Sequence, residues 1–141
     1  MQTQLVIKRT AQGFILVSAL ALLSVSLMAF CDPQSVMDLV QVQLNNTDPF
    51  SSIRGVYGGV GLTLCITLLY LMVQDVEKGL LFLSLLWGLY ALSRVMTVLV
   101  EGPLGAFGRQ WLFIETLLFI IALTLVWVSK QVRVLPIKLL P

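Results

Sequence analysis

Four long apolar runs limit what this chain can become. They cover positions 11–30, 55–73, 80–100 and 111–128, and each approaches the roughly 20 residues a helix needs to cross the hydrocarbon of a bilayer. Stretches such as "FILVSALALLSVSLMAF" and "LFIIALTLVWV" are apolar on every side, whereas the strands of a membrane barrel alternate apolar and polar residues. In lipid such a run must satisfy its own backbone hydrogen bonds, so it is helical. Composition agrees, with 58% of the 141 residues hydrophobic and 11% charged, against about 45–50% and about 25% in soluble domains. The expected fold is all-α: one integral membrane domain over 1–141, built as a four-transmembrane-helix antiparallel bundle.

Several function classes drop out early. A net charge of +2, with no basic cluster interleaved with aromatics, gives nucleic acid nothing to grip. The chain has no histidine, and its two cysteines, Cys31 and Cys65, stand far apart without CxxC spacing. No metal site and no cofactor is therefore expected. Lys8 and Arg9 before the first run resemble the start of a signal peptide, but the run exceeds the usual 7–15 residues. It is read as a retained anchor. Phe30 is too bulky for the position before a lipidated cysteine, so Cys31 is not expected to carry lipid.

Lysine and arginine on short connections set the orientation of a membrane protein. With four spans, both termini and the 74–79 turn share one side, which carries Lys8, Arg9, Lys78, Lys130, Arg133 and Lys138. The other side has Arg54 and Arg109, each at a helix edge. Both termini are thus expected in the cytoplasm, with the chain a multi-pass protein of the inner (plasma) membrane.

The first outer connection, 31–53, is the longest. Within "DPQSVMDLVQVQL", Asp32 suits an N-cap and Pro33 the first helical position. Val36, Leu39, Val40 and Leu44 give the segment one apolar side, which predicts a short amphipathic helix lying on the membrane face. "NNTDPFSS" reads as turn residues before the second span. "EGPLGAFGRQ" forces the last two spans into an antiparallel pair. The tail "KQVRVLPIKLLP" is expected along the inner surface, with Trp127 as an interfacial anchor.

Against this background, charge inside a span stands out. Arg94 lies seven residues before Glu101, so it sits roughly 10 Å below the end of its helix. On the next span, running back, Glu115 lies six residues beyond Arg109, or about 9 Å below the same surface. Each alone would cost roughly 2.5–3.5 kcal/mol near a helix centre. Facing each other, they can share bidentate hydrogen bonds, for which the planar guanidinium is well shaped. Arg94 also shares a helical stripe with Trp87, Tyr90 and Glu101.

The second span contributes "RGVYGGVG" from the same edge. Gly55 and Gly59 have the GxxxG spacing that lets a neighbouring helix approach. Together these residues predict a polar cluster of Arg54, Arg94, Glu101 and Glu115, flanked by Tyr57 and Tyr90, in the outer half of the bundle. "RGVYGG" on one span, "SR" deep in the next, "EGP" after it and a glutamate in the last resemble a family of small bacterial membrane proteins. That family is known only as a four-helix domain of unknown function. The resemblance spans roughly 54–128 and omits the outer loop. It implies that Arg54, Gly55, Gly59, Arg94, Gly102, Pro103 and Glu115 match the family pattern, and it implies no activity.

Glu101 and Glu115 could form an acid/base pair, but no nucleophile or metal set accompanies them, so an enzyme is not expected. Two functions fit better. In the first, the chain is a non-catalytic accessory or structural subunit docked onto a larger membrane complex. In the second, it binds or carries a small amphiphile, a lipid headgroup or a quinone, in an outer-half polar pocket.

Overall fold

The computed structural model describes residues 2–134, and the tail beyond Val134 lies outside the described residues. The chain is all-α: α1 (Gln2–Cys31), α2 (Pro33–Asp38), α3 (Thr47–Ile53), a π-helical segment (Arg54–Val60), α4 (Gly61–Gln74), α5 (Val76–Val100) and α6 (Ala106–Val134). α3, the π segment and α4 run on as one helix, so among the described residues four helices are long and apolar enough to cross a membrane. Each begins or ends beyond its apolar run, because polar residues at a helix end extend the helix into the interface without entering hydrocarbon.

The residues divide into two compact units. The first takes the start of α1, to Ile15, together with α5 and α6. α5 and α6 pack antiparallel along much of their length. On α5 the buried positions Leu80, Leu83, Ser84, Trp87 and Ala91 recur every three or four residues, the spacing of one helix face. α6 answers with Glu115, Ala122 and Val126. α5 packs tightly on α6 at Gly88. A Cβ there would stand 3.0 Å from the Phe119 ring, so the missing side chain makes room for that ring. At the other end of α5, Gln4 donates to the Val132 carbonyl at 3.2 Å and Gln12 to the Met72 carbonyl at 3.1 Å.

The second unit is Leu16–Leu71. Its stretch of α1 buries small residues, Ser18, Ala19, Ser26 and Ala29, which is how helices gain contact where lipid removes the usual hydrophobic drive. Ser26 is the hub. Its hydroxyl donates to the Gly58 carbonyl at 2.6 Å, and a Cβ on Gly61 would meet Ser26 Cβ at 3.2 Å. The expected packing glycines are therefore corrected. A Cβ on Gly55 would meet nothing within 4 Å, and one on Gly59 only the Arg54 carbonyl at 3.9 Å, whereas one on Gly58 would strike the Phe30 ring at 3.0 Å. The GxxxG reading assumed regular α turns. Arg54–Val60 instead winds as a π-helix, whose i→i+5 bonding adds a residue per turn and changes which positions face the neighbour.

The loop helix is shorter than expected. Asp32 caps α2, accepting from the Gln34 amide at 3.1 Å, and Pro33 occupies its first turn. The Ser35 hydroxyl also donates to Asp32 and, ahead of the other influences, holds its carboxyl below the usual range. But α2 stops at Asp38 because Gln41 takes a left-handed φ of 60°. Leu39 and Val40 are consequently exposed, while Val36 and Met37 pack with Ala29, Leu44 and Ile53. "NNTDPFSS" also proves helical from Thr47, with Asn46 accepting from the Asp48 amide at 3.0 Å. Likewise the 74–79 turn contracts to Asp75, which caps α5 by accepting from Lys78 N at 3.1 Å.

Candidate functional site

Arg94 and Glu115 meet. Nε donates to one carboxylate oxygen at 2.6 Å and Nη2 to the other at 2.8 Å, the forked geometry expected of a guanidinium facing a carboxylate. The pair is unevenly sealed, since the Glu115 side chain is 3% exposed and that of Arg94 is 24%. Glu115 occupies a core position of α6, one that an apolar residue fills elsewhere along the seam. Arg94 continues the buried α5 series of Trp87 and Ala91. The antiparallel register that sets Gly88 against Phe119 carries the two charges to the same level.

Just below the pair, Trp87 is 5% exposed and its indole N–H has no hydrogen-bond partner among the described residues. Its ring lies 6.0 Å from that of Tyr90 at a 40° tilt. Tyr90 itself is 41% exposed, so the buried stripe leading to Arg94 runs through Ala91 rather than Tyr90.

The other members of the expected cluster have separate tasks. Arg54 belongs to the second unit, where its Nε donates to the Phe30 carbonyl at 3.2 Å. That places a cation on the last turn of α1, where the carbonyls are unsatisfied and the helix dipole is negative. Tyr57 is an exposed residue of the π segment. Glu101 is the C-cap of α5, its backbone N–H bonding to Thr97, and is followed by Gly102 at φ 104°. A glycine in that conformation just past the helix, with proline next, is a strong stop signal. "EGP" is thus explained as chain geometry.

Most other hydroxyls in the spans are turned back on their own helix. Thr63, Thr67, Ser84, Ser93, Thr97, Thr116 and Thr124 each donate to a carbonyl three or four residues earlier. Cys65 is buried and Cys31 exposed, both as free thiols. Among the described residues, no three potential ligands gather around a metal position.

Sequence reading missed Ser26, Gly58, Gly61 and Gly88. The first had a visible signal, small residues recurring along one face of α1. It also missed a cleft at the Asp75 end of the first unit, about 690 Å³ in volume, lined by Gln4, Lys8, Gln74, Lys78, Leu81 and Ser129 among others. The polar pocket was expected instead beside Arg94, at the opposite end of α5.

The family described as a domain of unknown function (DUF4345) matches residues 10–128. The match takes in the outer loop, which the resemblance read from motifs had left out. No curated protein and no solved structure matches the chain.

Proposed function

The chain belongs to the family of the domain of unknown function DUF4345, and from that premise, which brings no activity with it, we propose that it is a non-catalytic accessory subunit docked onto a larger membrane complex. One observation carries this reading: its strongest intramembrane charges are spent on each other. The bidentate Arg94–Glu115 pair, with Glu115 sealed, acts as a clamp that fixes the register of α5 and α6. Hydroxyls bonded to their own helices leave few polar groups to line a path for ions or to handle a substrate. What the clamp holds in place is a broad apolar exterior, including Leu85, Leu89 and Leu99. In this reading part of that surface meets lipid and part meets other subunits, in a bacterial inner membrane with both termini cytoplasmic.

A second reading, capture of a lipid headgroup or quinone beside the pair, draws support from the open edge of Arg94. Photo-crosslinking in native membranes separates the two. A photoreactive side chain at Leu89 or Leu99 should give a discrete protein adduct in the subunit reading, and the same group at buried Leu83 should give none. Adducts with lipid or quinone alone, concentrated at positions beside Arg94, would overturn it.

A further inference from the structure

We infer that the C-terminal part of α5 is the face on which the partner subunit docks, and that the partner meets it with a transmembrane helix carrying a neutral oxygen acceptor at the level of Arg94. This deepens the subunit reading above and rests on it. A guanidinium has five N–H donors and no acceptor. Glu115 takes two of them, one from Nε and one from Nη2. The other three, both on Nη1 and the second on Nη2, have no acceptor among the described residues, and the Arg94 side chain is 24% exposed. Donors left without an acceptor are costly, and hydrocarbon supplies none. The usual escape is a side chain that reaches up to the interface. It is closed to Arg94, because the fork on Glu115 fixes the plane of the guanidinium.

The surroundings say what kind of acceptor fits. From Leu80 to Ala91, α5 buries a residue on every turn, but from Leu92 to Val100 no position is buried. That stretch is a bare convex rod, whereas small-molecule sites are concave, so the shape that lies along it is another helix. Thr97 lies one turn beyond Arg94, and Ser93 one turn before Thr97. Both are small and exposed, which lets a second backbone come within hydrogen-bond reach of the guanidinium. Glu115 already balances the charge, and a further carboxylate would stand unpaired in hydrocarbon. The acceptor is therefore a side-chain amide or hydroxyl. A second copy of this chain does not supply the match. In a symmetric dimer with both copies inserted the same way, Arg94 faces Arg94, donor against donor.

The test is gentle extraction from native membranes with the co-purifying subunit quantified, beside photo-crosslinking from p-benzoylphenylalanine at Met96 or Val100. The adduct should map to a transmembrane segment of one other protein, within a turn of an asparagine, glutamine, serine or threonine. Thr97→Phe leaves the ion pair intact but blocks the approach, so it should weaken the complex by about tenfold or more, the worth of a hydrogen bond to a charged group. Leu85→Phe, on the other half of α5, should not weaken it. Arg94→Leu/Glu115→Leu restores the seam without the donors. It should regain the complex relative to Arg94→Leu yet stop about tenfold short of the parent. Full recovery in that double variant, or an undiminished complex in Thr97→Phe, would overturn this inference and leave the subunit reading standing. So would adducts with lipid, quinone or a second copy alone while the complex persists. A parent chain that emerges without a partner overturns both. Helical circular dichroism of each variant checks that weaker binding is not loss of fold.

Discussion

Replacing Arg94 by leucine strands the Glu115 carboxylate, which is 3% exposed, inside the α5–α6 seam. Breaking a buried pair by removing one partner costs about 3–5 kcal/mol, and this geometry belongs near the upper part of that range because both carboxylate oxygens lose their donor. The converse change should be milder. After Glu115→Leu the orphan is Arg94, whose side chain is already 24% exposed and which lies roughly 10 Å from its helix end. Its long side chain can carry the charge outward to the interface, so about 1–2 kcal/mol is expected. Removing both charges leaves two leucines in an apolar seam, and well-packed replacements for buried pairs are often neutral. The double variant should therefore lie within about 1 kcal/mol of the parent, with a coupling of about 5 kcal/mol. Steric-trapping unfolding in bicelles measures all four proteins. Equal single losses that add to within about 0.5 kcal/mol would refute both the coupling and the asymmetry.

Further outcomes follow from the glycines and the loop. Gly58→Ala should destabilise by about 1–3 kcal/mol through overpacking against Phe30, while Gly55→Ala, facing open space, should be neutral or slightly stabilising. Thermal melts in detergent rank the two, and the opposite order would restore the regular GxxxG face. Gly102→Ala should cost about 1–2 kcal/mol, because φ is 104° and a Cβ is strained there. Chemical unfolding of that variant beside Gly105→Ala, whose Cβ would also meet open space, isolates the conformational part. Asp32, held below the usual carboxylate range chiefly by the Ser35 hydroxyl, stabilises the start of α2 fully above about pH 4. That contribution fades as pH falls through the lowered value, so the NMR signal of the Gln34 amide should move in acid and should not do so in Asp32→Asn.

What the sequence made legible was whatever depends on local composition and depth. Lipid leaves a long apolar run one option, so the spans were readable; counting residues from the helix ends put Arg94 and Glu115 at one level before any contact was known. Caps were readable too, as at Asp32, because a cap is a relation among near neighbours. Properties set by distant partners were not. The length of α2 turned on one left-handed residue, Gln41, of a type that rarely marks such a place. The π winding at Arg54–Val60 moved the packing glycines to Gly58 and Gly61, and nothing in "RGVYGGV" announces i→i+5 bonding. Arg54 looked like a partner for buried acids but is engaged by the Phe30 carbonyl, a backbone group that composition does not reveal. The cleft depends on Gln4 and Gln12 reaching carbonyls more than fifty positions away, which periodicity cannot foresee.

The mass of the particle extracted gently from its own membrane tests the accessory role most directly. A chain of 15.6 kDa that serves as an accessory subunit should emerge in a complex of fixed stoichiometry with at least one other protein, and the complex should weaken in Arg94→Leu and recover in Arg94→Leu/Glu115→Leu. A particle containing this chain alone, at the same mass in all three proteins, would contradict it.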